Sequence, residues 1–230
     1  MNMKLLIGNK NYSSWSMRAW VLMRQLGIPF QEEWLELDSS AGSAFKHRLA
    51  QVNPSGRVPV LLEDDGFAVW DTLAIAEYLH ERFPQAGVWP ADARARARAR
   101  SLCAEMHSGF GALRSACPMN IEASLPEVGQ RILAEQSGVR SDLARLDNMW
   151  AEALAASGGP MLFGAFSAAD AFFAPVCMRI RGFSLPMGDA ASAYVVRVAA
   201  APGVAAWIAD ALAEHCWVAE DEPYRTAPAR

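Results

Sequence analysis

The chain has 230 residues, enough for one large domain or two modest ones with separate hydrophobic cores. Its 21 basic and 25 acidic residues give a formal net charge of −4, whereas an electrostatic nucleic-acid binder normally has a basic excess on one face. We therefore expect no nucleic-acid partner, and the lack of an uninterrupted apolar stretch of spanning length predicts no membrane partner.

The first predicted elements are a short apolar strand over residues 4–8 and an amphipathic helix after it. The segment between them is rich in hydroxyl groups, and Ser13, Ser14 or Ser16 can cap the helix. A helix start exposes unpaired N–H groups and a partial positive charge, which favour an anion such as a thiolate, a carboxylate or a phosphate. Arg18 opposes the helix dipole in the first turn, which indicates a nearby carboxylate or bound anion. A plain helix cap is the simpler interpretation of the same serines.

Strands and helices alternate in the next part of the chain, and the predicted order up to residue 83 is β-α-β-α-β-β-α. After the first helix come a strand over residues 33–37, a helix over 42–51, a strand ending at Leu62, a strand over 67–70 and a helix that ends before Pro84. The third strand contains Pro59, which removes a hydrogen-bond donor and therefore requires an edge position, a bulge or a cis peptide bond. Asp71 and Thr72 stand at the start of the last helix of this part.

The second part of the chain is predicted to be all-helical, because strand signals disappear from about residue 91 and Ala, Leu, Arg and Glu dominate. A Pro- and Gly-bearing linker over residues 84–91 separates a predicted domain over 1–83 from a second one over 92–230. Helices are predicted over residues 92–116, 125–156, 167–182, 190–201 and 203–216. Ser167 and Asp170 have the spacing of a capping box at the start of a very apolar helix, and we interpret them as a folding element.

The cysteines and the first residues predict the compartment. Cys103, Cys117, Cys177 and Cys216 lie far apart without a Cys-x-x-Cys pair, which argues against a metal site and against a dithiol redox centre. Only three consecutive strong hydrophobes precede Gly8, too few for the core of a signal peptide. We therefore expect a cytoplasmic protein with reduced thiols and no metal.

Four separated motifs together resemble the glutathione transferase superfamily. They are Ser13-Ser14-Trp15-Ser16-Met17-Arg18, similar to the Ser-Ser-Cys-Ser-x-Arg motif of the zeta class; Val58-Pro59, similar to the superfamily's cis-proline; Asp71-Thr72, similar to its acidic or amide residue followed by Ser or Thr; and the capping box at Ser167 and Asp170. The resemblance implies an α/β thioredoxin-like N-terminal domain followed by an all-α C-terminal domain. It also implies a homodimer and glutathione as the co-substrate.

The resemblance implies a role for each motif in holding glutathione. Ser13 would donate a hydrogen bond to the thiol sulfur and stabilise the thiolate, with Ser14 and Tyr12 as the alternatives. The main chain of Val58 would pair with the cysteinyl part as an added strand does. Thr72 and the first amides of its helix would receive the γ-glutamyl carboxylate.

Other cofactor-binding candidates are charged. Asp71 would meet the γ-glutamyl ammonium, although its side chain is one methylene shorter than the more usual Glu or Gln. Arg57 and Lys46 are candidates for the glycyl carboxylate, and Arg18 is placed with the cofactor-binding residues.

The electrophile pocket is expected between the two domains. Its predicted residues are Trp15, Met106, His107 and Phe110, with Arg114, Met119 and Asn120 nearby. Trp15 stands where the zeta motif has cysteine, and no cysteine precedes residue 103. We therefore expect no thiol–disulfide exchange, and maleylacetoacetate isomerisation is not carried over from the zeta class.

The leading hypothesis is an enzyme that adds glutathione to a small hydrophobic electrophile, or uses glutathione to isomerise or dehalogenate one. A non-catalytic interaction module of the same fold and a storage protein for hydrophobic ligands are the alternatives. Ser13, Val58-Pro59 and Thr72 favour the enzyme, because a scaffold has no need of all three. The sequence does not identify the electrophile.

Overall fold

The computed structural model describes residues 3–226, so the outer ends of the two predicted domains, residues 1–2 and 227–230, lie outside the described part. The first part folds into β1 Lys4–Ile7, α1 Ser14–Gln25, β2 Gln31–Trp34, α2 Ala44–Ala50, β3 Val60–Leu62, β4 Ala68–Trp70 and α3 Thr72–Arg82. This order confirms the predicted β-α-β-α-β-β-α pattern.

The strands form one mixed sheet in the order β2-β1-β3-β4, in which β1 and β2 are parallel and the other neighbours are antiparallel. Side chains of β1 alternate between two cores, as the period of a strand requires. Leu5 and Ile7 face the main core with α1 and α3, whereas Leu6 packs with Phe45 and Leu49 of α2. Helices therefore cover both faces of the sheet, as in the predicted thioredoxin-like unit.

The second part contains the helices α4 Ala93–Ser108, α5 Gly111–Ala116, α6 Pro126–Glu135, α7 Ser137–Ser157, α8 Ala168–Gly182, α9 Asp189–Ala200 and α10 Pro202–Glu214, followed by a 3-10 turn over Ala219–Asp221. The described residues after α3 form no strand pairing apart from two isolated bridges, one between Met161 and Gly164 and one between Phe163 and Ala165. The predicted all-α second part is therefore confirmed.

Two of the predicted helices are each broken in two. The helix predicted over residues 92–116 is interrupted where Phe110 takes a left-handed conformation with φ of 54°. The helix predicted over residues 125–156 is interrupted at Gln136, which is extended with φ of −113° and ψ of 98°. A tertiary contact lies beside the first break, where Leu113 donates its backbone N–H to Asp142 of α7 across 2.9 Å, which no local pattern reveals.

Helix α8 is the central element of the second part, because nearly all of its side chains are buried and it packs against α1, α4 and α9. The predicted capping box is present at its start, where Ser167 donates its backbone N–H to Asp170 across 2.9 Å. Because α1 packs on α8 and α10, the start of α1 lies at the junction of the two parts.

No single helix among residues 3–226 is long and apolar enough to cross a membrane. Helices α9 and α10 reach that length and composition only as a pair, and the pair is bent by 70°.

Candidate active site

The start of α1 lies in a cleft of about 480 Å³ between the sheet and the helical part, which we call the serine cleft. One wall comes from the first part of the chain, with Tyr12, Ser13, Ser14 and Trp15 and with Lys46, Arg57 and Val58. The other wall comes from the helical part, with Arg114, Pro118, Met119, Arg179 and Asp221. The structure thus brings all three predicted catalytic residues into one cleft.

Ser13 is the N-cap of α1, and its hydroxyl is part of a short chain of hydrogen bonds. Its oxygen accepts the backbone N–H of Ser16 at 3.4 Å and lies 2.7 Å from the Ser16 hydroxyl oxygen. The Ser16 oxygen in turn accepts the backbone N–H of Gly8 at 3.0 Å. Ser16 is fully buried, whereas Ser13 retains 8% exposure and reaches the cleft.

Ser14 is only partly buried, and its hydroxyl oxygen accepts a hydrogen bond from the Arg179 guanidinium, with the nitrogen and oxygen 3.2 Å apart. A cation that donates to a hydroxyl oxygen makes the hydroxyl proton a better donor. Ser14 therefore keeps a polarised O–H at the edge of the cleft.

Tyr12 lines the same cleft, but its hydroxyl donates to the Glu222 carboxylate across 2.7 Å. Burial, and then the hydrogen bond to Glu222, raises the pKa of Tyr12 to about 12. Asn120 and Arg225 donate to the same carboxylate, so Tyr12 belongs to a polar cluster that holds the C-terminal segment.

A second cleft of about 340 Å³, which we call the threonine cleft, is lined by Asp71, Thr72 and His107, and it shares Trp15, Arg57 and Val58 with the first. Thr72 is 2% exposed and its hydroxyl has no hydrogen-bond partner among the described residues. A buried polar group without a protein partner is uncommon, and this one stands at the wall of the threonine cleft. The hydroxyl stands at the N-terminus of α3, where the first amides also favour an anion.

Asp71 adopts a left-handed conformation with φ of 72°, which is strained for a residue with a side chain. One of its carboxylate oxygens accepts the backbone N–H of Leu73 at 2.8 Å, and the other lies 3.3 Å from the imidazole of His107. Burial lowers the pKa of His107, and the charge of Asp71 opposes that shift. Asp71 therefore links the start of α3 to the end of α4.

Val58 precedes the proline through a cis peptide bond, and it lines both clefts together with Arg57. Lys46 lines the serine cleft and not the threonine cleft. These positions are compatible with the roles that the sequence motifs suggested for them.

Of the four predicted electrophile-pocket residues, the structure places two in a cleft and two in the core. Trp15 lines both clefts and His107 lines the threonine cleft. Their rings meet edge to face, with the ring centroids 4.9 Å apart. Met106 is 1% exposed and Phe110 is 6% exposed, and both pack in the main core. Met106 shares the buried face of α4 that contacts α8, so its side chain is directed inward.

Arg18 is 2% exposed and is not among the residues that line either cleft. Its guanidinium carbon lies 4.1 Å from the ring centroid of Trp15 and 5.1 Å from that of Phe172. Two of its nitrogen atoms have no hydrogen-bond partner in the described part of the chain. Burial, followed by the charges of Arg114 and Arg179, lowers the pKa of Arg18 to about 9.

Sequence reasoning missed Arg179, Asp221 and Glu222. The sequence signal for Arg179 was a charged residue within the very apolar sequence of α8, because charged side chains are rarely fully buried. No local signal distinguishes Asp221 or Glu222, whose positions depend on the C-terminal segment folding back over the cleft.

Comparisons with known proteins place these features in a family context. Residues 12–82 match the family model described as the glutathione S-transferase N-terminal domain. The chain is 31% identical over 119 residues to maleylacetoacetate isomerase from Pseudomonas aeruginosa and 35% identical over 100 residues to glutathione S-transferase theta-3 from Mus musculus. These matches cover 52% of this chain and 55% of the isomerase, and 43% of this chain and 39% of the theta-3 protein. The chain therefore aligns with about half the length, or less, of these curated relatives.

A solved structure aligns over a much larger part of the chain. It is that of a glutathione transferase homologue from Burkholderia GL BGR1 with bound glutathione, which superposes with a TM-score of 0.69 at 26% identity. The superposition covers 92% of this chain and 98% of that one.

Proposed function

We propose that this chain, which belongs to the glutathione transferase superfamily, binds glutathione and uses a seryl hydroxyl at the start of α1 to activate the thiol for attack on a small hydrophobic electrophile. The observation that carries the proposal is that Ser13, Ser14 and Val58 share one cleft with the N-terminus of α1. That helix end favours an anion where the sulfur would lie.

The polar groups around the two clefts match the three charged ends of the tripeptide. The unpartnered hydroxyl of Thr72 and the first amides of α3 suit the γ-glutamyl carboxylate, and Asp71 suits its ammonium. Lys46 and Arg57 supply cations for the glycyl carboxylate. The main chain of Val58 would pair with the cysteinyl unit between them.

Ser13 is the proposed thiolate donor because its neighbours can leave its proton free. Hydroxyl hydrogens rotate, so Ser16 can donate across the 2.7 Å contact and Ser13 can turn its own O–H towards the cleft. In that arrangement Ser13 accepts from the hydroxyl and the amide of Ser16 while it donates to the sulfur, which lowers the pKa of the bound thiol. Ser14 is the alternative donor, and the Tyr12 hydroxyl already donates to Glu222.

The same proposal includes a homodimer. A groove of about 460 Å³ between α4 and α7 is lined mainly by apolar side chains, with Arg98, Glu152 and Arg145 among them, and Arg145 is paired with Glu105. The turn between β3 and β4 combines Asp65 with Phe67, whose side chain is 53% exposed. The exposed Phe67 suits the apolar lining of the groove and Asp65 suits Arg98, so we propose that the turn of one copy occupies the groove of a second copy.

Light scattering tests the dimer. The wild type is expected at twice the chain mass of 25.0 kDa, and Phe67→Ser is expected to shift it to the monomer. Val196→Ser, at a residue that is 67% exposed on α9, is the matched control and should leave the dimer intact. A monomeric wild type would contradict this part of the proposal.

A reducing compartment suits the proposal. Cys103, Cys117, Cys177 and Cys216 are free, and protein thiols persist where the glutathione pool keeps them reduced. We therefore propose a cytoplasmic location.

Kinetics with 1-chloro-2,4-dinitrobenzene tests the activity. The wild type is expected to form the thioether, and Ser13→Ala is expected to lower kcat/KM by about 10- to 100-fold, corresponding to about 1.4–2.8 kcal/mol. Ser141→Ala, at an exposed residue of α7, is the control and should behave as the wild type. Glutathione binding without turnover in the wild type would instead favour a non-catalytic member of the fold.

A further inference from the structure

Two arginines lie against the Trp15 ring and a third lies beside it at Ser14, and none of the three directly contacts a carboxylate among the described residues. The guanidinium carbons of Arg18 and Arg114 lie 4.1 Å and 5.2 Å from the Trp15 ring centroid. Arg179 is 7% exposed and donates to the hydroxyl of Ser14, the neighbour of Trp15. Among residues 3–226, none of these three guanidinium groups forms an ion pair within 4.0 Å.

Only neutral oxygens accept from the two arginines that reach the serine cleft. Arg179 donates to the carbonyls of Arg114 and Cys117 and to the Ser14 hydroxyl. Arg114 donates to the carbonyls of His107 and Gly109, at 3.3 Å and 3.4 Å. A buried cation without an opposite charge is costly, so this pair leaves room for an anion.

The mutual effect of the charges agrees with this geometry. Burial, and then the charge of Arg114, lowers the pKa of Arg179 to about 10, so Arg179 remains charged at neutral pH. Asp221 is the only carboxylate among the described residues that line the serine cleft, and its charge acts on Arg179 in the opposite direction. The cleft therefore keeps an excess of positive charge.

In the proposed pose, glutathione brings no carboxylate to this wall. Its two carboxylates are assigned to Thr72 and to the Lys46 and Arg57 pair, which belong to the first part of the chain. Arg114 and Arg179 belong to the opposite, helical wall, where the electrophile would lie.

We propose that the electrophile carries a carboxylate and that Arg114 and Arg179 bind it, so that its reactive carbon faces the sulfur at the start of α1. This inference rests on the proposed function and adds the charge class of the second substrate. The planar guanidinium groups present several N–H donors to the two oxygens of a carboxylate, which gives orientation as well as affinity.

The test uses two electrophiles of nearly the same shape, the anionic 4-chloro-3-nitrobenzoate and the neutral 4-chloro-3-nitrobenzamide. With either one, the glutathione sulfur forms a bond to the ring carbon, chloride leaves with the electrons of the carbon–chlorine bond, and the thiol proton passes to solvent. Each kcat/KM is divided by the rate constant of the uncatalysed reaction, which removes the difference in intrinsic reactivity. The wild type is expected to prefer the benzoate by about tenfold or more.

Two variants move this preference in opposite directions. Arg114→Gln is expected to lower the benzoate-to-benzamide ratio about tenfold, mainly through KM for the benzoate. Asp221→Asn removes the competing carboxylate and is expected to raise the ratio. Arg94→Gln, at an exposed residue of α4, is the matched control. A structural defect would lower the activities with both electrophiles together. It would not lower the benzoate-to-benzamide ratio in one variant and raise it in the other.

Binding of the two thioether products by calorimetry gives a readout that does not require turnover. Tighter binding of the carboxylated product, weakened in Arg114→Gln, supports the inference. Equal binding of both products, or a ratio that Arg114→Gln does not change, overturns the inference while the proposed function stands.

An Arg114→Gln effect that is equal for both electrophiles and raises the thiol pKa would assign the arginines to the thiolate and also overturn the inference. If glutathione and both products fail to bind, the proposed function fails and the inference falls with it.

Discussion

The hydroxyl oxygen of Ser14 accepts a hydrogen bond from the Arg179 guanidinium across 3.2 Å, and this bond joins the first turn of α1 to the buried helix α8. The start of α1 is therefore positioned by both parts of the chain. Helix α8 itself is capped at its start by Ser167 and Asp170.

The first prediction concerns Asp170, whose carboxylate accepts the backbone N–H groups of Leu162 and Ser167 and the hydroxyl of Tyr194. Asp170→Ala leaves these buried donors without a partner, so we expect the free energy of unfolding to fall by about 3 kcal/mol. Chemical denaturation measures this loss. Asp189→Ala, at an exposed residue in the first turn of α9, is the control and should cost less than about 1 kcal/mol. Equal losses would show that the buried cap has no special role.

The second prediction concerns Thr72, whose buried hydroxyl has no partner in the described structure. Thr72→Val keeps the shape and removes an unsatisfied group, so the unfolding free energy should stay within about 1 kcal/mol or rise. The same change removes a donor for the γ-glutamyl carboxylate, and we expect the Kd for glutathione to rise about tenfold or more.

Calorimetry and denaturation of Thr72→Val are compared with Thr226→Val, an exposed change of the same chemistry. The control should alter neither quantity. A Thr72→Val protein that is destabilised but binds glutathione normally would mean that the hydroxyl serves the fold alone.

The third prediction concerns the C-terminal segment, residues 215–226, which Glu222 holds through Tyr12, Asn120 and Arg225. Burial raises the pKa of Glu222, but the hydrogen bonds from Arg225, Tyr12 and Asn120 outweigh it and hold the pKa below the ordinary 4.5. A depressed carboxyl pKa stabilises the folded state above the unfolded pKa, and this stabilisation is lost as the pH falls through the folded value.

Amide hydrogen exchange checks this dependence. We expect the backbone of residues 219–222 to be protected at neutral pH and to lose protection below about pH 4.5, before the core does. Glu222→Gln should lose the protection already at neutral pH, whereas Glu220→Gln, at an exposed neighbour, should keep it. Unchanged exchange in Glu222→Gln would contradict the role given to this carboxylate.

Local patterns were sufficient for much of the fold and for part of the site. The capping box at Ser167 and Asp170 is encoded within four residues, and the proline requirement at Pro59 was met by a cis peptide bond. The capping box depends on neighbouring residues alone, so sequence spacing reveals it. Local sequence left an edge, a bulge or a cis bond open at Pro59 and three serines open as the cap of α1, and the structure has the cis bond and Ser13.

The features that the sequence could not predict depend on distant contacts. The left-handed turn at Phe110 stands next to the contact between Leu113 of α5 and Asp142 of α7, and the placement of Arg179 beside Ser14 joins residues 165 positions apart. Met106 was expected in the pocket because it lies on the first long helix of the second part, against which the pocket was predicted. In the structure α8 packs against α4, and Met106 belongs to the face that it covers.

The central claim is that a seryl hydroxyl at the start of α1 stabilises a bound glutathione thiolate. The most direct measurement is the ultraviolet absorbance of the thiolate while the complex is titrated from about pH 5 to about pH 9. We predict that the pKa of the bound thiol lies about 2 units below that of free glutathione and rises by at least about 1 unit in Ser13→Ala. A bound thiol that titrates like free glutathione in the wild type would contradict the account.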